Sequence, residues 1–192
     1  MSMFKTLKGF IGELKVRFYL FLVLGFGYAK LHNITIGFPN GGSSQIDHLV
    51  IGKGGIFVIE TKNYSGLIEA TINEKNWKQS FGNKHYQFYN PVMQNESHLS
   101  SLRYLLKSKK YPMHNIVVFV GKAKFKGKPP KNVFPDLLSC VCYIASRPKT
   151  KLTRQQVSQI KNTINQRRLP NNLATKRRHI RYAKSRQDKY KR

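Results

Sequence analysis

The stretch Gln45–Lys62, QIDHLVIGKGGIFVIETK, leaves the backbone little choice. Two runs rich in Ile, Val and Phe flank Gly52-Lys53-Gly54-Gly55, and glycine permits the positive φ that tight hairpin turns require. Gln45–Ile51 and Ile56–Lys62 therefore read as paired antiparallel strands. With Ile51 facing Ile56, a two-residue turn and a symmetric four-residue turn give the same register. Asp47 then falls across from Glu60, where Cβ atoms sit roughly 4.5–5.5 Å apart. Alternation puts Lys62 on the side of Glu60, and Gln45 on the side of Asp47. A bulge or an odd-length turn would send Asp47 to the other face.

Two carboxylates so placed repel each other, and folding alone does not ask for them. A divalent cation resolves the conflict, and Mg²⁺ prefers oxygen ligands of this kind. The ammonium of Lys62 can orient a water and offset developing negative charge. The pattern points to metal-assisted attack of water on a phosphodiester.

Composition narrows the partner. The chain has 192 residues, 40% of them hydrophobic, enough for one domain with a buried core. Its net charge of +27 asks for a polyanion, nucleic acid ahead of an anionic membrane surface. Binders that catalyse nothing share that charge. The eight acidic residues say more, because two of them fall in one hairpin. Cys140 and Cys142 form neither a CxxC motif nor a disulfide geometry, and read as core thiols in a reducing cytoplasm. The apolar run 18–29 is shorter than the roughly 20 residues a membrane span needs, and Glu13 interrupts the leader of any signal sequence, so no membrane partner is expected.

Taken in order, residues 4–22 form an amphipathic helix with the apolar stripe Phe4, Leu7, Ile11, Leu14, Phe18 and Leu22, closed near Gly25. Glu13 lies off that stripe, and spacing alone reads it as a surface ion pair with Arg17. Residues 26–36 read as a strand and Pro39-Asn40-Gly41-Gly42 as a turn. After the hairpin come a turn at Asn63–Gly66 and a third meander strand, Leu67–Ile72. Trp77 and Phe81–Tyr89 suggest a further hairpin turning at Gly82-Asn83. Asn90 caps and Pro91 opens a helix to about Lys107, with Leu99, Leu102 and Leu106 inward. Its Gln94 and His98 share another face, which reads equally as a site wall or as solvated surface. Asn115–Gly121 is a continuous apolar central strand. A basic loop, 122–131, precedes a strand at Cys140–Ala145. Thr153 caps a helix to Arg168, with Val157, Ile160 and Ile164 at helical spacing. Residues 171–192 carry nine Lys or Arg against one Asp, a basic tail expected to be disordered or helical only on a partner. The expected organisation is a domain over 1–169 and a tail over 170–192, in an α/β or α+β class built on a mixed sheet.

Gly12-Glu13 on the first helix, Gln45-Ile46-Asp47-His48, the block GIFVIETKNYSG at 55–66, Trp77, and Asn90-Pro91 with Gln94-Asn95 and His98 together resemble the NERD (nuclease-related) domain of the PD-(D/E)XK nuclease superfamily. The resemblance covers residues 8–120 and rests on the DH and ETKNYSG blocks, since a bare D-x12-E-x-K arises often by chance. It implies a restriction-endonuclease-like mixed sheet flanked by helices. It implies Asp47 and Glu60 as metal ligands completed by the backbone carbonyl of Thr61, with Lys62 positioning the attacking water. Glu13 would touch the metal directly or through water. Gln45 and Gln94, with His48 and His98, would line the site and orient ligands or substrate. Ile46 stands where the superfamily name has proline, a common departure. No GxxxxGK[ST] accompanies the domain, unlike the many members that carry helicase or kinase domains.

The resulting expectation is a cytoplasmic, Mg²⁺-dependent deoxyribonuclease in which Mn²⁺ substitutes. RNA as substrate and a homodimer stay open. Lys122, Lys124, Lys126 and Lys128 in the loop, and Lys176, Arg177, Arg178 and Arg181 in the tail, are candidate phosphate contacts. The alternative is a non-catalytic nucleic-acid-binding module on a nuclease scaffold, although a pure binder gains nothing from carboxylates facing phosphates. A third reading is a basic membrane-surface protein anchored by residues 18–29.

Overall fold

The strand Gly55–Lys62 divides its side chains between two cores. Ile56 and Val58 enter one, Phe57 and Ile59 the other, and all four are fully buried. Each such side chain stabilises the fold by roughly 1.5–3 kcal/mol relative to exposure, so this strand needs a helix layer on both sides. The computed structural model describes residues 3–189 other than Asn40, Lys109, Lys149 and Thr150, without the side chains of residues 3–6, 8 and 183–189.

The order is α1 (Met3–Leu24), a 3-10 turn (Gly25–Gly27), β1 (Ala29–Gly37), β2 (Ser43–Gly52), β3 (Gly55–Lys62), β4 (Gly66–Glu69), β5 (Asn76–Phe81), β6 (Lys84–Tyr89), α2 (Pro91–Leu106), β7 (Met113–Phe119), β8 (Ala123–Phe125), β9 (Val133–Phe134), α3 (Leu137–Ala145), α4 (Arg154–Arg167) and α5 (Leu173–Lys189). Among the described residues one mixed sheet runs β1-β2-β3-β7-β9, antiparallel up to β3 and parallel beyond it. Leu99, Leu102 and Leu105 of α2, with Ile160 and Ile164 of α4, cover one face. Val16, Leu20 and Leu24 of α1, with Cys140, Val141 and Ile144 of α3, cover the other. The result is a mixed α+β domain consistent with a restriction-endonuclease-like core. A second mixed sheet, β6-β5-β4-β8, packs Ile68 and Trp77 on Val117, Phe119 and Val133.

Several elements follow their local signals. Asn90 accepts from the N–H of Val92 at 2.9 Å and of Met93 at 3.4 Å, capping α2. Thr153 and Gln156 form a capping box on α4. Other elements depart from them. The strand expected over Leu67–Ile72 does not continue the meander: Gly66, at φ 84°, redirects the chain, and β4 pairs with β5 and β8 instead of β3. Cys140–Ala145 belongs to helix α3, not a strand. Asp136 caps it, accepting from Ser139 N–H at 2.8 Å. Residues two apart on a helix face differently, so Cys140 is buried while Cys142 is exposed; burial pushes the Cys140 thiol up to about 12.

On α1 the expected apolar stripe is the outward one. Leu7, Ile11, Leu14, Phe18 and Leu22 are exposed, and the row Gly12, Val16, Leu20 and Leu24 faces the sheet. The helix carries two apolar rows, so spacing does not select which one faces the sheet. Close approach does: a Cβ on Gly12 would lie 3.0 Å from both Asn63 and Val120. The side chain of Phe4 and Asn40 of the Pro39–Gly42 turn lie outside the described residues. Leu173–Lys189 form helix α5, which meets the start of β2 and the turn before it: Arg178 donates to Gly41 O at 3.1 Å, and Ser43 Oγ lies 3.1 Å from His179 Nδ1.

Candidate active site

β2 and β3 pair in the expected register, Ile51 opposite Ile56 and His48 opposite Ile59. The ladder stops there, one step before Asp47 and Glu60, because β2 is kinked. The β1–β2 ladder skips Asn33 and Asp47, and Asn33 has a φ of 53°. Leu31 and Ile34, like Ile46 and Leu49, are three apart yet share one core, which unbroken strand alternation forbids. Freed from the ladder, Asp47 Oδ2 accepts from the Thr61 backbone N–H at 3.0 Å. The N–H and C=O of one strand residue lie along the same edge, so the Thr61 carbonyl faces Asp47 as well.

Glu60 is the centre of the polar cluster. Lys62 Nζ donates to Glu60 Oε1 at 2.7 Å and to Gln94 Oε1 at 3.0 Å, and Gln94 Nε2 donates to Glu60 Oε1 at 2.8 Å. His98 Nε2 stands 3.4 Å from Glu60 Oε2, too long for a strong hydrogen bond. His98 Nδ1 lies 2.7 Å from Ser44 Oγ. Burial alone would raise the Glu60 carboxyl, but Lys62 and His98 outweigh it and hold it at about 2. Burial would lower the Lys62 ammonium, but Glu60 wins and raises it. Asp47 moves the other way: burial, then the charge of Glu60, push its carboxyl well above the usual range against the Thr61 N–H.

Glu13 reaches this cluster from α1. Burial raises its carboxyl, Arg17 and Asn33 pull it down, and Glu60 adds to the rise. With the Asn33 amide oriented to satisfy both neighbours, it donates to Glu13 Oε2 at 3.0 Å and accepts from Arg17 Nη2 at 3.0 Å. The ion pair expected from spacing is thus bridged by an amide from the kink in β1.

The structure brings Glu13, Asp47, Glu60, Lys62, Gln94 and His98 together. Gln45 makes none of these bonds, since the kink removes it from the alternation of Asp47. His48 is fully buried on the other side of the sheet, its Nδ1 2.8 Å from His32 Nδ1. Ser44, Asn33 and Asn95 are contributors that sequence reasoning missed. Asn95, within the Asn90–His98 block, is fully buried and donates to Val58 O at 2.8 Å and Ile116 O at 3.0 Å, fixing α2 to the sheet. Lys122, Lys124 and Lys128 are exposed beyond β7. Lys126 is exposed too but donates to Glu69 at 3.1 Å. On α5, Lys176 lies near enough to lower the Glu13 carboxyl, Arg177 and Arg181 are exposed, and Arg178 is tied to Gly41.

Among the described residues, no three His, Cys, Asp or Glu side chains form a ready cage for a metal ion. The donors nevertheless suit a hard dication. The charge of Glu60 raises the cost of ionising Asp47, buried Glu60 Oε2 has only the long contact to His98, and the Thr61 carbonyl lies past the last rung.

Acidic groups and a lysine at the end of a parallel strand pair, in a mixed sheet between helix layers, define a restriction-endonuclease-like domain. The family model described as nuclease-related domain, NERD, matches residues 8–120. An uncharacterised Bacillus anthracis protein, pXO1-01/BXA0003/GBAA_pXO1_0003, is 34% identical over 163 residues, covering 82% of this chain and 75% of the relative. No solved structure matches the chain significantly. The chain belongs to the NERD family, and with it to the PD-(D/E)XK nuclease superfamily.

Proposed function

We propose that the chain is a nuclease that hydrolyses phosphodiester bonds of DNA with the help of Mg²⁺, for which Mn²⁺ substitutes. The observation that carries this reading is the ion pair of buried Glu60 with Lys62, set beside Asp47, with only the long 3.4 Å contact from His98 at Glu60 Oε2. Asp47, Glu60 and the Thr61 carbonyl would hold the cation, with Glu13 touching it directly or through water. Bound there, the cation would supply Lewis acidity toward the phosphate and lower the pKa of water.

The chain's own groups do the rest. Lys62, kept cationic by Glu60, does not accept a proton at neutral pH; it holds a water by hydrogen bonding and offsets charge on the phosphoryl oxygens. Gln94 hydrogen-bonds both Lys62 and Glu60 and so restrains their reorientation as charge develops. Exposed Lys122, Lys124 and Lys128, and Lys176, Arg177 and Arg181 of α5, suit phosphate contacts along the substrate backbone. Free Cys140 and Cys142 suit a cytoplasmic setting, and no described helix is long and apolar enough to cross a membrane.

Incubation of the purified chain with plasmid in Mg²⁺ and in EDTA tests the proposal. Cutting in Mg²⁺ alone is the expected result. Binding with no metal-dependent cutting would instead favour a non-catalytic module.

A further inference from the structure

Helix α1 buries one narrow row and leaves a second apolar row in solvent. Leu7 is 53% exposed, Ile11 42%, Leu14 53%, Phe18 60% and Phe21 60%, with Phe10 at 61% and Leu22 at 59% beside them. A contiguous apolar patch of this extent on a monomer marks an interaction surface. The intervals along the row are four, three, four and three residues. That is the heptad alternation whose period keeps a seam turned toward another helix. A lipid surface requires an apolar arc but no such register. A shallow depression between Ile11, Leu14, Phe18 and Phe21, edged by Lys15, Arg17 and Tyr19, offers a recess for a partner's side chain.

We propose that a second copy of the chain docks here, α1 against α1, making a dimer. These half-exposed side chains present roughly 600 Å² of apolar surface, near the ~800 Å² per partner of a stable interface. The row from Leu7 to Phe21 spans about two heptads of the helix. Glu13 lies off the row, toward Asn33, so the seam leaves both candidate sites open. Each copy carries a net charge of +27. Salt screens that repulsion without weakening an apolar seam, and therefore tightens the dimer, whereas attachment to an anionic lipid weakens with salt.

Sedimentation equilibrium of the full chain, from about 0.15 to about 0.5 M NaCl, reads the outcome. The expected mass is twice 22.2 kDa, with tighter association at the higher salt. Leu14→Glu combined with Phe18→Glu should weaken association by about 100-fold or more, because it buries charge in the seam. Both side chains are exposed in the monomer, so far-UV circular dichroism should be unchanged; if the pair misfolds, Leu14→Ser with Phe18→Ser probes the same seam. A chain that sediments at 22.2 kDa throughout, a dimer indifferent to these substitutions, or a monomer that floats with anionic vesicles would overturn the proposal.

Discussion

Lys62 Nζ lies 2.7 Å from Glu60 Oε1, two residues back on the same strand, and Gln94 bonds to both. The lysine is therefore a structural counter-ion as well as the group proposed to position water. Lys62→Ala should lower plasmid cleavage by about 10³-fold or more while DNA affinity, read by fluorescence anisotropy, stays within about threefold. Because the substitution strands a buried carboxylate, it should also destabilise the metal-free fold by about 3 kcal/mol, visible in urea unfolding. Normal cutting by this variant would refute the assigned role.

Asp47 sits in the opposite balance. Its folded-state carboxyl titrates well above the unfolded one, so ionising it opposes folding, and metal-free stability declines as pH rises through the folded value. Asp47→Asn retains an oxygen for the Thr61 N–H and removes the charge. It should abolish cleavage, raise the metal-free Tm by about 2–4 °C, and erase any rise in Tm on adding Mg²⁺. A variant less stable than the parent without metal would contradict the proposed strain.

The His32–His48 pair gives a stability signature distinct from the site. Burial, then Arg17, hold His32 at about 4, and burial, then His32, hold His48 at about 3. Both lie below the ordinary value of 6.5. The neutral pair thus contributes fully above that value, and its contribution is lost progressively as pH falls toward about 4 and then about 3. The pair's share of the unfolding free energy, read as the difference from the double variant below, should drop by on the order of 3 kcal/mol between neutral and mildly acidic pH. His32→Gln with His48→Gln should flatten the profile.

Under the proposed function the role of helix α5 is charge rather than chemistry. Replacing Lys176, Arg177 and Arg181 with Ala should reduce the salt slope of DNA binding by about 1 for each phosphate that these side chains neutralise, and leave measurable cutting at low salt. An unchanged slope would remove α5 from the binding surface.

The register of β2 against β3, the Asn90 cap and the Thr153 cap were legible in the residues themselves. Glycine at a turn and a side-chain acceptor at a helix start act within a few residues, and nothing distant overrides them. That register ends at His48 opposite Ile59, so the expected facing of Asp47 and Glu60 is replaced by a bond from the Thr61 N–H to Asp47. Burial was different, because it depends on what arrives from elsewhere in the chain. With two apolar rows, α1 presents two usable faces, and the approach of Gly12 to Asn63 and Val120 selected one. The short apolar run at Leu137–Ala145 suits a strand or a helix equally until Asp136 caps it and α3 finds the sheet beside α1. The kink at Asn33 and Asp47 took Gln45 out of the cluster, and α2 brought Gln94 and His98 into it. Local pattern determined which groups could do chemistry; the packing of helices on both faces of one sheet decided which of them meet.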